Sequence, residues 1–113
     1  MGFARSIKSQ QRRVRQLFVK VDGTGTAALD GLDKLSMTLT DAGTGDYDLA
    51  YDVAFQRAPM VVVTPITTGI HCEVTASTTA GCTIETFDVA TGAVATDADF
   101  YVMIAGSDDA DAI

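Results

Sequence analysis

The stretch DYDLAYDVAF, residues 46–55, decides the fold class. Tyr47, Leu49, Tyr51, Val53 and Phe55 share one parity, and Asp46, Asp48 and Asp52 share the other. A period of two puts the first set on a buried face and the second in water, as in a half-buried β-strand. On a helix the three aspartates would scatter around the circumference.

The same period extends outward on both sides. Upstream, Leu35, Met37 and Leu39 alternate with Ser36, Thr38 and Thr40, and the DAGTGD of residues 41–46 reads as a turn. Downstream, Pro59 opens the apolar run 60–63 and Pro65 closes it, which predicts an edge strand or a segment between bends. Ile70, Cys72, Val74 and Ala76 alternate with His71, Glu73, Thr75 and Ser77. A turn near 77–81 leads into Cys82, Ile84 and Thr86, and Phe87 breaks their parity, predicting a bulge. Residues 88–98 read as a loop. Phe100, Val102 and Ile104 alternate with Tyr101 and Met103 in a last strand, and residues 17–21 are the candidate for a first. The prediction is an all-β chain, an antiparallel β-sandwich (jelly-roll or Ig-like) of about seven strands. The absence of a long helical pattern between the strands disfavours a parallel α/β sheet.

Charge divides the chain differently. Arg5, Lys8, Arg12, Arg13, Arg15 and Lys20 stand in residues 1–20 without an acid, whereas the remainder sets Lys34 and Arg57 against all 15 acidic residues. This reads as a basic N-terminal arm, 1–20, extended or partly helical, on an acidic sandwich domain, 21–113. Phe3, Ile7 and Phe18 punctuate the arm with apolar side chains. No apolar run is long enough to cross a membrane, and the N-terminus lacks the apolar centre of a secretory signal.

Candidate chemistry is sparse. His71, Cys72 and Glu73 adjoin, but on a strand His71 and Cys72 point to opposite faces, so no base converges on the thiol. Cys72 and Cys82 belong to the apolar sets of their strands and read as buried thiols. If their strands pair around Ser77 the two lie opposite, and a disulfide is then geometrically open. The aspartates Asp46, Asp48, Asp97, Asp99, Asp108, Asp109 and Asp111 raise calcium, but no EF-hand spacing is present, and solvated faces and loops account for them. The expectation is no enzyme, no metal and no cofactor. An arm of six cations would attract phosphate in a salt-dependent way, but the acidic body repels it and the arm has few rings for base stacking, so nucleic acid is disfavoured as a partner.

Three segments carry a family resemblance: GTGDYDLAYDVAFQRAPMVVVTP at 43–65, CTIETFDVATG at 82–92 and DADFYVMIAG at 97–106. Over residues 41–106 the chain resembles small β-sandwich modules of bacteriophage virions, found in head decoration proteins, tail-fibre tips and some lectin-like domains. The resemblance implies a structural virion protein on the capsid surface, made in the host cytoplasm, with the major capsid protein as partner and a homo-oligomer, often a trimer, as assembly state. Phe3, Arg5, Ile7, Lys8, Arg12, Arg13, Arg15 and Phe18 would then anchor it, by pairing with acidic capsid residues and filling apolar grooves. Ordering such an arm costs entropy but spreads contact over a wide surface, and many copies add avidity. The alternative is a receptor- or glycan-binding module of a tail or fibre, using loops 64–69 and 88–97. A third reading, an arm that binds nucleic acid, would lose binding steeply with salt.

Overall fold

The computed structural model describes residues 14–90 and 92–107. Over these described residues the fold is all-β, with nine strands: β1 (Val14–Asp22), β2 (Ala28–Asp30), β3 (Met37–Gly43), β4 (Asp46–Tyr51), β5 (Met60–Pro65), β6 (Ile70–Ser77), β7 (Gly81–Asp88), β8 (Val94–Ala95) and β9 (Phe100–Ser107). All pairings are antiparallel. One sheet, sheet A, has the order β2-β1-β9-β5, and the other, sheet B, has β3-β4-β7-β6 with β8 added beside β7. The strands beyond the expected seven include β2 and β8, at three and two residues too short to show a period.

The two sheets bury their parities against each other. Leu17, Val19 and Val21 of β1 and Phe100, Val102 and Ile104 of β9 face Tyr47, Leu49 and Tyr51 of β4 and Cys82 and Ile84 of β7. Each fully buried Val, Leu, Ile or Phe contributes roughly 1.5–3 kcal/mol relative to exposure. Aromatic contacts close the core at both ends. At one, the Tyr47 and Phe100 rings lie 5.2 Å apart, tilted at 60°. At the other, Tyr51 meets Phe55 edge-on at 5.1 Å. As the prolines predict, β5 is an edge strand.

At two places the period of two continues in the sequence where no strand continues in the fold. Val53 is 64% exposed, because β4 ends at Tyr51. The Asp52 N–H then donates to the Ser36 carbonyl at 3.0 Å and the Phe55 N–H to the Thr79 carbonyl at 2.9 Å. The chain thus turns across the end of the sandwich, and Phe55 enters the core from a loop. Leu35 is 85% exposed on a 3-10 turn, Lys34–Ser36, that precedes β3. The bulge is also elsewhere: the register slips between Val74 and Ala76 of β6, while β7 runs on through Phe87. Phe87 turns to the outer face, where its ring stacks on His71 at 6.4 Å.

Strand β1 reaches back into the basic segment, so that Arg15, Phe18 and Lys20 lie in sheet A. Val14 is opposite Ser107 in the β1–β9 ladder, so the described chain begins and ends on neighbouring strands at one pole. The Tyr51–Phe55 pair marks this pole of the sandwich, and the loops around Gly23, Gly45 and 96–99 lie at the opposite one.

Candidate interaction surfaces

Of the expected anchor residues, Phe3, Arg5, Ile7, Lys8, Arg12 and Arg13 lie outside the described residues. The other two part company. Arg15 faces inward, its guanidinium 3.9 Å from the centroid of the Phe55 ring, a cation–π contact that ties β1 to the loop after β4. Its side chain is engaged within the body. Phe18 faces outward and is 39% exposed. The backbone of Phe18 is pinned on both sides of its peptide: its N–H donates to Asp33 Oδ2 at 2.7 Å, and its carbonyl accepts from the Asp33 N–H at 3.1 Å.

Phe18 belongs to a patch that single-strand reading cannot assemble. The ladders place Phe18 opposite Met103 and Met103 opposite Val62, giving one row across β1, β9 and β5. The next rows are Lys20–Tyr101–Thr64 and Gln16–Ala105–Met60. Together with Leu32, which projects from the loop after β2, these rows give the outer face of sheet A an exposed apolar centre, with Lys20 and the Asp30 opposite it at one margin. A shallow groove of about 400 Å³ runs along it, lined by Phe18, Leu32, Val62, Tyr101 and Met103. The signal was present in the sequence, since Met60, Val62, Tyr101 and Met103 sit on what ought to be solvent parities, but only the register makes them contiguous.

The outer face of sheet B is different. Asp46 pairs with Glu85, and Glu85 with Glu73, so three carboxylates form one cross-strand row. Like charges placed opposite one another are mildly destabilising. Beside them Thr83 donates its hydroxyl to Asp48 at 2.8 Å.

At the loop pole, the segments 64–69 and 88–97 do come together. The Val89 N–H donates to the Gly69 carbonyl at 3.0 Å, the Ile66 N–H to the Asp99 carbonyl at 3.0 Å and the Asp99 N–H to Thr67 Oγ1 at 3.3 Å. Asp97 and Asp99, raised as calcium ligands, are committed to backbone amides: Asp97 Oδ1 accepts from Gly45 at 2.8 Å and Asp99 Oδ1 from Gly23 at 3.0 Å. Among the described residues no group of three His, Cys, Asp or Glu is placed to hold a metal ion.

The Tyr47 hydroxyl sits at the centre of this pole. It directs its proton to the Gly23 carbonyl at 3.0 Å, with Asp97 Oδ1 as competing acceptor at 3.2 Å, and accepts from the Ala98 N–H at 3.3 Å. Burial pushes its pKa up to about 12, the Ala98 N–H opposing the rise and Asp97 adding to it. A folded-state value above the ordinary 10 means that its contribution to stability is complete below pH 10 and is lost as pH rises towards 12. Tyr51 shifts the same way, again by burial. The expected result is a cooperative alkaline unfolding in this window, followed by circular dichroism, with a Tyr47→Phe chain losing less of its stability between pH 10 and 12. Equal loss in both chains would contradict the assignment.

The thiols are inert by the same physics. Cys72 is half-buried and Cys82 buried, and both are free. Burial pushes Cys72 up to about 11 and also raises Cys82, which disfavours the nucleophilic thiolate. Cys72 pairs with Thr86 and Cys82 with Ser77, so the turn is centred beyond Ser77 and the two sulfurs are not opposite. His71 is exposed on the outer face, away from Cys72.

The described architecture is thus a two-sheet antiparallel β module with one apolar outer face and one acidic outer face. No family model matches the chain, and no curated protein or solved structure matches it.

Proposed function

We propose that the chain is a structural protein of a bacteriophage virion that decorates and stabilises the head, held to the major capsid protein by its basic N-terminal segment. The viral setting comes from the sequence resemblance. The observation that carries the mechanical part is the way the basic segment joins the body. Residues 1–13 run directly into β1, whose Leu17, Val19 and Val21 are locked in the core, and Arg15 is clamped on Phe55. Tension that reaches Val14 is therefore delivered straight to the rigid sandwich. The role is passive: to bridge shell subunits and oppose the pressure of packaged DNA.

The junction also fixes where the segment can be altered. Deleting residues 1–20 would remove most of a central strand, whereas Arg5, Lys8, Arg12 and Arg13 precede it. Reversing these four to Glu is expected to leave the circular dichroism spectrum and melting temperature unchanged while attachment to shells falls at least tenfold. In fractionated virions, quantitative mass spectrometry should find a high copy number travelling with emptied heads. Unaltered attachment of the charge-reversed chain, or absence from particles, would refute the proposal.

One observation favours a second reading, a tail or fibre module that binds receptor or glycan. Loops 64–69 and 88–97 meet at the pole opposite Val14, joined through Val89 and Gly69. A low copy number travelling with tails would select this reading.

A further inference from the structure

We infer that the Asp30–Gly31 step is a site of covalent self-modification: the Gly31 nitrogen closes on the Asp30 side chain to a succinimide, and hydrolysis opens the ring to isoaspartate. The inference stands apart from the virion reading and needs no partner.

The sequence holds two Asp-Gly steps, Asp22–Gly23 and Asp30–Gly31. Such a step is open to ring closure because glycine has no Cβ to shield its nitrogen. The fold treats the two steps oppositely. Gly23 is buried. Its N–H donates to Asp99 Oδ1 at 3.0 Å, and its carbonyl accepts from the Tyr47 hydroxyl at 3.0 Å. The Asp22 carboxylate is drawn to Lys20 Nζ, 3.3 Å away. Asp30 and Gly31, in contrast, are both exposed where the chain leaves the short strand β2. The Gly31 N–H donates to Asp30 Oδ1 at 2.8 Å. An aspartate bonded to the next amide is curled back over its own peptide. The nitrogen then stands one carbon–oxygen bond from the carbon it must reach. At Gly31 the acceptor belongs to the group under attack, whereas at Gly23 it belongs to a third residue that holds the amide away.

The chemistry is self-contained. A bond forms from the Gly31 nitrogen to Asp30 Cγ, the Cγ–OH bond breaks, and the hydroxyl leaves with the amide proton as water. Water then adds to one of the two ring carbonyls. Addition at Cγ restores aspartate. Addition at the main-chain carbonyl leaves that carbon as a free carboxylate, and the chain runs on through the Asp30 side chain, one carbon longer.

The longer link falls where the chain turns back towards β1. Asp33 accepts from the Phe18 N–H at 2.7 Å and donates its own N–H to the Phe18 carbonyl at 3.1 Å, and Asp30 stands opposite Lys20. These are the contacts that an added carbon displaces, while the buried residues of β4, β7 and β9 lie on other strands. The modification marks the age of a chain at one margin of sheet A and leaves the core in place.

The test incubates the full chain, folded, in oxygen-18 water at mildly acidic pH, beside a sample unfolded in urea. Each passage through the ring leaves a heavy oxygen on the aspartate that formed it. Both steps fall in the tryptic peptide 21–34, so tandem mass spectrometry compares them within one molecule. The folded chain is expected to carry at least tenfold more label at Asp30 than at Asp22, and an isoaspartate methyltransferase should methylate it at residue 30. In urea the two labels should agree within about twofold. Asp30→Glu, which would need a larger ring, should lose the label at that position and keep the circular dichroism spectrum. Equal labelling of the two steps in the folded chain, more label at Asp22, or none at Asp30 would overturn the inference. So would a tenfold preference that persists in urea, which would place the cause in the flanking sequence and not in the fold. Should the glutamate variant fail to fold, the wild-type comparison decides alone.

Discussion

Tyr47→Ala is expected to remove most of the stability of the domain. The side chain is fully buried and packs on Phe100. Truncating a buried aromatic costs about 3–5 kcal/mol, against a total of roughly 5–15 kcal/mol for a domain of this size. The cost should fall at the upper end, because the hydroxyl also joins three segments of chain. Its loss strands the Gly23 carbonyl and the Ala98 N–H in a buried setting. Tyr47→Phe separates the two contributions. It keeps the packing and removes the hydrogen bonds, and should cost about 1–2 kcal/mol. Urea denaturation of the three chains measures both steps. If Phe and Ala proved equally damaging, the hydroxyl network and not the ring would hold this pole together; if Phe were neutral, the network would be dispensable.

Gly45→Ala should also be strongly damaging, and Gly25→Ala tells why. Both glycines have nearly the same left-handed backbone, with φ of 65° at Gly45 and 68° at Gly25. That conformation alone costs an L-residue roughly 1–2 kcal/mol. A Cβ at Gly25 meets nothing within 4 Å, whereas at Gly45 it falls 2.6 Å from the Thr86 carbonyl oxygen and 2.9 Å from the Thr96 nitrogen. Neither obstacle can rotate away, since both are backbone, and overpacking of this kind costs about 1–3 kcal/mol more. Thermal melts should therefore show a modest fall for Gly25→Ala and a fall roughly twice as large for Gly45→Ala. Equal falls would mean that the hairpin beside Thr86 yields to the added methyl.

These two sites also show what sequence reading reaches. The parity of Tyr47, Leu49 and Tyr51 was legible because one face of β4 is dry and the other bears aspartates. The same logic located Phe100, Val102 and Ile104. It failed at Val53 and Leu35, where the period continues in sequence after the ladder has ended, because alternation carries no marker for the last hydrogen bond. It could not predict the separation of Cys72 from Cys82 either, since register depends on where the turn closes and on the slip at Val74.

The surfaces were harder still. Phe18 was singled out as an apolar side chain in a basic setting, and it is exposed, but as part of a sheet and not of a free arm. Its neighbours Met103 and Val62 come from strands far away in sequence. Arg15 is one of the six cations of residues 1–20, but the fold places Phe55 beneath it. Thr86 shows the converse: it shares parity with Cys82 and Ile84 and is fully buried, which is tolerable because its hydroxyl donates to the Thr96 carbonyl.

The antiparallel neighbours β1 and β9 begin and end at the same pole, and this sets how the domain answers to force. A pull that separates Val14 from Ser107 would peel β1 from β9 one hydrogen bond at a time, the weak way to load a ladder. A pull on Val14 against a contact at the loop pole runs along the strands and loads the whole β1–β9 ladder at once. The fold is accordingly anisotropic: yielding when its two ends are drawn apart, and stiff when strained from one pole to the other.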